Sequence, residues 1–159
     1  MDAIVTIDNK KQDTMNFLKG IYETVKSRFD EIINKKSSYG NLVKNFLDKL
    51  EKIADSIEEN PFLDEDIYFD FLTLKRMIRY ILNDVNLSLK YFNFILDYTK
   101  QYIKVSIYRI KNKNICDDDE EYYKLIYDFN RKKEYFYTYI YEHQGTYDDL
   151  IDEFIATLN

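Results

Sequence analysis

The chain has 159 residues, a formal net charge of −6 and a sequence pI near 4.9. This length suits one domain that buries a core without a metal or disulfides, so we expect a single helical domain over 1–159, with a candidate sub-boundary near 60–64. The single cysteine, Cys116, excludes an internal disulfide framework and a cysteine-based zinc cluster. We see no secretory signal and no apolar run of membrane-spanning length, and therefore expect a cytoplasmic protein of the producing or host cell.

Turn-forming residues are rare, with three glycines and one proline. Their scarcity predicts few turns and long secondary-structure elements. Lys, Asn, Ile, Tyr, Phe and Asp are abundant, which is typical of AT-rich coding sequences such as those of many bacteria, phages or mobile elements, parasites and large DNA viruses. That bias can raise the tyrosine count to sixteen, but it does not decide where the tyrosines lie.

The first part of the chain is predicted to hold two amphipathic helices. Apolar residues recur every three or four positions over 12–36, which predicts a helix with one buried stripe. The sequence "SSYGN" at 37–41 interrupts this pattern, and we expect Gly40 to supply a permissive turn and Asn41 to cap the next helix. The second helix ends at "EENP", because proline pushes the preceding residue out of the α region.

The middle of the chain, 67–114, contains neither glycine nor proline. One straight helix of that length would extend about 70 Å, so we expect a break at "NDVN", 83–86, where Asn and Asp side chains compete for backbone hydrogen bonds. An elongated protein with an unbroken helix is the alternative. Residues 87–110 are apolar around most of the helix circumference. Other helices or a second subunit should therefore surround them, and a homo-oligomer through helix 87–110 is one expectation.

The last part is predicted to hold a long helix over 118–143 and a short amphipathic helix over 146–158. The acids of "DDDEE", 117–121, precede the long helix and complement its dipole. Together these elements predict an all-α helical bundle of five to seven helices.

The sequence "RKKEYFYTYIYEHQ" raises an alternative, because its tyrosines alternate with other residues. A period of two is typical of a strand, so an α+β fold with a small sheet from 3–7, 104–110 and 134–142 is the second candidate. On a helical wheel, the same region forms an apolar seam in which Lys133 is the one misfit. The seam comprises Tyr122, Ile126, Phe129, Phe136 and Ile140. Because a helix also accounts for the flanking residues, we favour the helix.

Tyrosines near or outside that seam form a candidate protein interface, since tyrosine is enriched at binding hot spots. The interface residues are Tyr123, Tyr127, Tyr135, Tyr139 and Tyr141. The alternative is that these rings are the half-buried edge of an ordinary core.

Charge is segregated along the chain. Basic and acidic residues number 10 and 14 in 1–66, 9 and 3 in 67–113, and 4 and 12 in 114–159. The basic middle contains a helical stripe that is a candidate contact for an anion or nucleic acid, comprising Arg76, Arg79, Lys90, Lys100 and Lys104. The acidic pI is unlike that of an autonomous nucleic-acid-binding domain and favours a basic protein partner instead.

Several chemistries have no support in the sequence. The one histidine, His143, cannot form a two-histidine metal motif, and the isolated glycines exclude a phosphate-binding loop. We expect no cofactor, no metal and no catalytic residue. The favoured function is a non-enzymatic protein-binding module, for example an inhibitor of a basic nucleic-acid-handling protein, that uses an aromatic and acidic surface of the C-terminal helices. Alternatives are a nucleic-acid accessory protein using the basic stripe, a structural subunit of an oligomer, and an enzyme with an unconventional carboxylate or tyrosine site.

Overall fold

The computed structural model describes residues 2–34, 39–112, 115 and 118–141, with the side chains of 8–34, 39–112, 115 and 118–138. These residues form five α-helices and a π-helical extension of the fifth. The elements are α1 (Asp2–Asn34), α2 (Tyr39–Glu59), α3 (Glu65–Ile81), α4 (Val85–Lys111), α5 (Glu120–Tyr135) and the π-helix Phe136–Tyr141. No described residue lies in a strand. The all-α prediction is therefore confirmed, and the alternative sheet is wrong, because 3–7, 104–110 and 134–141 are all helical.

Four of the helices close into a ring. α1 packs on α2, α2 on α3, α3 on α4, and α4 returns to α1, while α5 packs on α4 outside the ring. α4 therefore contacts α1, α3 and α5, and these contacts account for its apolar circumference within one chain. None of the described helices combines the length and the apolar character needed to cross a bilayer.

The core forms because apolar residues recur every three or four positions and so share one side of each helix. In α1 the buried series is Leu18, Ile21, Val25, Phe29 and Ile32, and in α2 it is Phe46, Leu50, Ile53, Ala54 and Ile57. The predicted stripe of the first helix is therefore buried. Buried residues on both sides of the 60–64 loop belong to the same hydrophobic core.

The starts of α1 and α2 differ from the prediction. α1 starts at Asp2 instead of near residue 12, and α2 starts at Tyr39. Gly40 and Asn41 therefore lie inside the first turn of α2, and Gly40 does not have a positive φ. The Tyr39 hydroxyl donates to the Leu82 carbonyl, which ties the first turn of α2 to the α3–α4 turn. The predicted turn at Gly40 and cap at Asn41 are wrong.

The predicted break within 67–114 is confirmed, since α3 ends at Ile81 and α4 begins at Val85. Asp84 caps α4, and its side chain accepts a hydrogen bond from the Asn86 N–H at 2.6 Å. Ser88 is buried and donates to the Ile81 carbonyl at 3.1 Å, which closes the turn from the inside. The two helices pack against each other as a hairpin, so the unbroken helix is excluded.

Two buried tyrosines of α4 differ in how their hydroxyl groups are satisfied. The Tyr102 hydroxyl donates to the Ile67 carbonyl at 3.1 Å, whereas the Tyr98 hydroxyl has no hydrogen-bond partner in the described part of the chain. Burial raises the pKa of both phenols, so both stay neutral at physiological pH. An unsatisfied buried hydroxyl costs about 1–3 kcal/mol.

We therefore expect Tyr98→Phe and Tyr102→Phe to have opposite effects. Tyr98→Phe removes an unsatisfied hydroxyl and should leave the free energy of unfolding unchanged or raise it by up to about 1 kcal/mol. Tyr102→Phe leaves the Ile67 carbonyl without the hydroxyl donor and should lower the free energy of unfolding by about 1 kcal/mol. Urea denaturation of the two variants tests this pair. A larger loss for Tyr98→Phe than for Tyr102→Phe would contradict it.

Candidate functional site

The fifth helix is attached to the ring by a small apolar patch. Phe129 and Phe136 are its fully buried side chains in the described part of the chain. The Phe129 ring lies 5.0 Å from the Tyr98 ring, and the Phe136 ring meets the Tyr80 ring of α3 edge-on at 6.4 Å. Leu125, Ile126 and Tyr137 also pack against the core but are only partly buried, and polar contacts add to this attachment.

A charged cluster joins α3, α4 and α5. Asp70 of α3 accepts from Arg109 of α4 at 3.2 Å and from Lys133 of α5 at 2.5 Å. Asp70 and Arg109 each expose only 13% of the side chain, and Lys133 exposes 25%. The misfit of the predicted seam is thereby explained, because Lys133 faces inward and pairs with a carboxylate. Lys133 also lies 4.4 Å above the Phe129 ring centre.

Further hydrogen bonds extend this attachment toward the start of α5. Arg109 donates to the Tyr122 hydroxyl through both Nε and Nη2, at 3.2 and 3.1 Å. The buried Gln101 side chain of α4 donates to the Leu125 carbonyl at 3.0 Å. Each contact joins α4 to α5 at a different turn, so the rotation of α5 about its own axis is fixed.

The N-terminus of α5 is held by Asp119. Its side chain accepts from the Tyr122 N–H at 3.0 Å as the N-cap and also from the Tyr108 hydroxyl of α4. Both bonds lower the pKa of Asp119, and the bond from Tyr108 has the larger effect. The bond between Tyr108 and Asp119 also raises the pKa of Tyr108 to about 12. In the predicted acidic run, Asp119 is thus the cap and Glu120 and Glu121 form the first turn. Cys116 and Asp117 lie outside the described residues.

With its inner face anchored, α5 presents an aromatic ridge outward. We define this ridge as Tyr123, Tyr127, Arg131 and Tyr135, which follow one another at intervals of four residues and so lie along one side of the helix. Tyr123, Tyr127 and Tyr135 expose 53%, 61% and 43% of their surface. Arg131 lies 5.7 Å above the Tyr127 ring, in cation–π contact with it.

A cleft of about 420 Å³ lies beside the ridge, between α4 and α5. Phe94 and Tyr135 form its aromatic wall, with ring centres 5.3 Å apart. Asp97, Asp128, Arg131 and Lys132 line the rest of the cleft. It therefore combines an aromatic surface with hydrogen-bonding groups of both charges.

Of the five predicted interface tyrosines, the structure brings three to one exposed helix face, Tyr123, Tyr127 and Tyr135. The side chains of Tyr139 and Tyr141 lie outside the described residues, as do His143 and the predicted helix 146–158. Because the backbone is π-helical over Phe136–Tyr141, a wheel with an α-helical period misplaces residues in that stretch.

The predicted basic stripe is divided between two helices, although all five of its residues are exposed. Arg76 and Arg79 line a shallow pocket on α3 with Leu72 and Lys75. On α4, Lys90 and Lys100 lie over tyrosine rings, each at 5.2 Å, and Lys104 lines a separate groove.

Sequence reasoning missed the cluster of Asp70, Arg109 and Lys133, for which the misfit lysine was the available signal. Within the described ranges, no group of three or more His, Cys, Asp or Glu side chains could hold a metal ion. Comparison of the chain with protein-family models, curated proteins and solved structures finds no match. The function must therefore be argued from the geometry.

The charged cluster predicts unequal effects of removing its members. Asp70→Asn leaves two partly buried cations without their carboxylate and should lower the free energy of unfolding by about 2–4 kcal/mol. Lys133→Met keeps the Arg109 pair and should cost less than about 1.5 kcal/mol. Chemical denaturation of both variants measures the difference. Equal losses would show that Asp70 does not serve both cations.

The N-cap at Asp119 predicts that the stability of the protein depends on pH in the acidic range. Because the folded-state pKa is lowered, its stabilisation is present above the pKa of the unfolded carboxyl, about 4, and disappears as the pH falls through the folded-state value. Asp119→Asn keeps an N-cap acceptor without the charge. The stability advantage of the wild type over this variant should shrink over the range in which the pH falls below about 4, measured by urea denaturation. A difference that stays constant over that range would contradict the assignment.

Proposed function

We propose that the protein is a non-enzymatic protein-binding module whose contact surface is the aromatic ridge of α5. The observation that carries this proposal is the exposure of Tyr123 and Tyr127 on a helix whose inner face is held by specific polar bonds. Tyrosine and arginine are the residue types that recur at interface hot spots, and the ridge consists of these two types.

The way the ridge is held also favours binding. A ridge on a helix with fixed rotation loses little conformational entropy when a partner docks, because the aromatic rings have few rotatable bonds and Arg131 restrains Tyr127. The neighbouring cleft at Phe94 and Tyr135 offers a recess for one anchoring side chain of the partner.

The partner that we propose is a basic protein. One example is a nucleic-acid-handling protein that this chain inhibits. The net charge of −6 supports a basic partner, because complementary charge accelerates association. The ridge itself does not determine whether the partner is acidic or basic, since the α5 sequence contains four acidic and four basic residues. The acidic surplus of 114–159 comes from the segments on either side of α5. The hot spot of this interface is thus aromatic, and its charge preference acts at longer range.

A double substitution on the ridge tests the proposal. Tyr123→Ser/Tyr127→Ser should leave the melting temperature nearly unchanged, since both rings are mostly exposed and serine has a similar helix propensity. Loss of two hot-spot rings should weaken binding to a partner isolated from the native host by about a hundredfold, measured by calorimetry with the purified pair.

The matched control is Phe69→Ser/Leu89→Ser, which removes two equally exposed apolar side chains on α3 and α4. This control should bind the partner normally. Two outcomes would refute the ridge as the contact surface. One is equal weakening by both double variants, and the other is a large loss of stability in the tyrosine variant.

A further inference from the structure

A groove of about 610 Å³ lies between α1, α4 and α5, separate from the aromatic ridge. It lies toward the C-terminal end of α4 and the N-terminal end of α5. Its apolar lining consists of Ile103 and Ile107, one turn apart on α4, and Leu125 of α5. Ile103 is buried, and the other two are partly exposed to the groove.

Three lysines, one from α1 and two from α4, line the same groove, Lys19, Lys104 and Lys111. All three side chains are exposed, and none of them forms an ion pair with a described residue. Glu121 is the acidic residue of the lining. The groove therefore has an apolar surface and a positive surplus at its edge, although the chain as a whole is acidic.

We propose that this groove binds an acidic amphipathic helix of a partner protein. Such a helix presents apolar side chains every three or four residues, which match the spacing of Ile103 and Ile107. Lys104 and Lys111 lie seven residues apart, about 10.5 Å along the axis of α4. Acidic residues seven apart on a docked helix have the same separation and would meet both ammonium groups.

The lining of the groove favours an acidic helix over a fatty acid and over a nucleic acid. A fatty acid carries one carboxylate and would leave two of the lysines without a counter-charge. A nucleic-acid backbone would satisfy the lysines but has no apolar face for Ile107 and Leu125. The proposal does not rest on the function of the ridge, because Tyr123 and Tyr127 do not line the groove.

A selection with designed peptides tests this inference. The probe is a displayed library of helical peptides of about four turns, with leucine fixed along one stripe and the flanking positions varied among Glu, Gln and Lys. The full chain is the target. We expect selected peptides to carry Glu at flanking positions seven apart and to bind with Kd values below about 100 µM.

Reversing the charge of two groove lysines should then change which peptide the groove prefers. Lys104→Glu/Lys111→Glu should weaken a selected Glu-flanked peptide about tenfold and bind the Lys-flanked version of that peptide better than the wild type does. The control Lys44→Glu/Lys90→Glu reverses two exposed lysines outside the groove and should bind the selected peptide normally. Circular dichroism verifies that both variants are folded, and methyl NMR shifts at Ile107 and Leu125 locate the peptide.

Four results would overturn the proposal. They are enrichment of Gln or Lys at the flanks, no enrichment at all, equal weakening by the control variant, and methyl shifts confined to other sites. Dodecanoate and single-stranded DNA of about 20 nucleotides are tested in parallel. If either binds the wild type through Lys104 and Lys111 while no peptide does, the groove is a fatty-acid or nucleic-acid site instead.

Discussion

The carboxylate of Asp70, shared between Arg109 and Lys133, is the contact on which the arrangement of the C-terminal helices depends. It joins three helices at a point where each side chain is largely removed from water. A charge in that position is costly unless it is paired, and Lys133 of α5 adds a second cation to the carboxylate that Arg109 already pairs, which favours docking of α5. Together with the hydrogen bonds from Arg109 to Tyr122 and from Gln101 to Leu125, this pair orients α5 on α4, and the surfaces that α5 forms depend on that orientation.

The two faces of α5 consequently serve different purposes. The inner face meets α3 and α4 through Phe129, Lys133 and the Tyr122 hydroxyl, each with a specific partner. The outer face retains Tyr123 and Tyr127 without burying them. Tyrosine is suited to both situations because its ring packs against apolar groups while its hydroxyl bonds to polar ones. The many tyrosines of this chain are therefore not equivalent.

The pairing of α4 with α5 also creates the two concave sites of this region. The cleft at Phe94 and Tyr135 lies toward the end of α5, and the lysine-lined groove lies toward its start. Both require α5 to be docked, since each takes part of its lining from that helix. A change that releases α5 would affect both sites together, whereas substitutions at one should leave the other intact.

Local sequence patterns predict the described α-helices, the break before Asp84, the buried stripes of α1 and α2, and the acids that start α5. These features are local, because apolar spacing, caps and dipoles act within a few residues of the chain. The start of α2 differs from the prediction, and the bond that ties this turn to Leu82 spans 43 residues, so local sequence patterns do not show it. The inward orientation of Lys133 follows from helix packing, since its partner Asp70 is 63 residues away. The same packing places Lys19 and Lys104 on one groove, because it brings together distant segments whose residue spacing carries no sign of the contact.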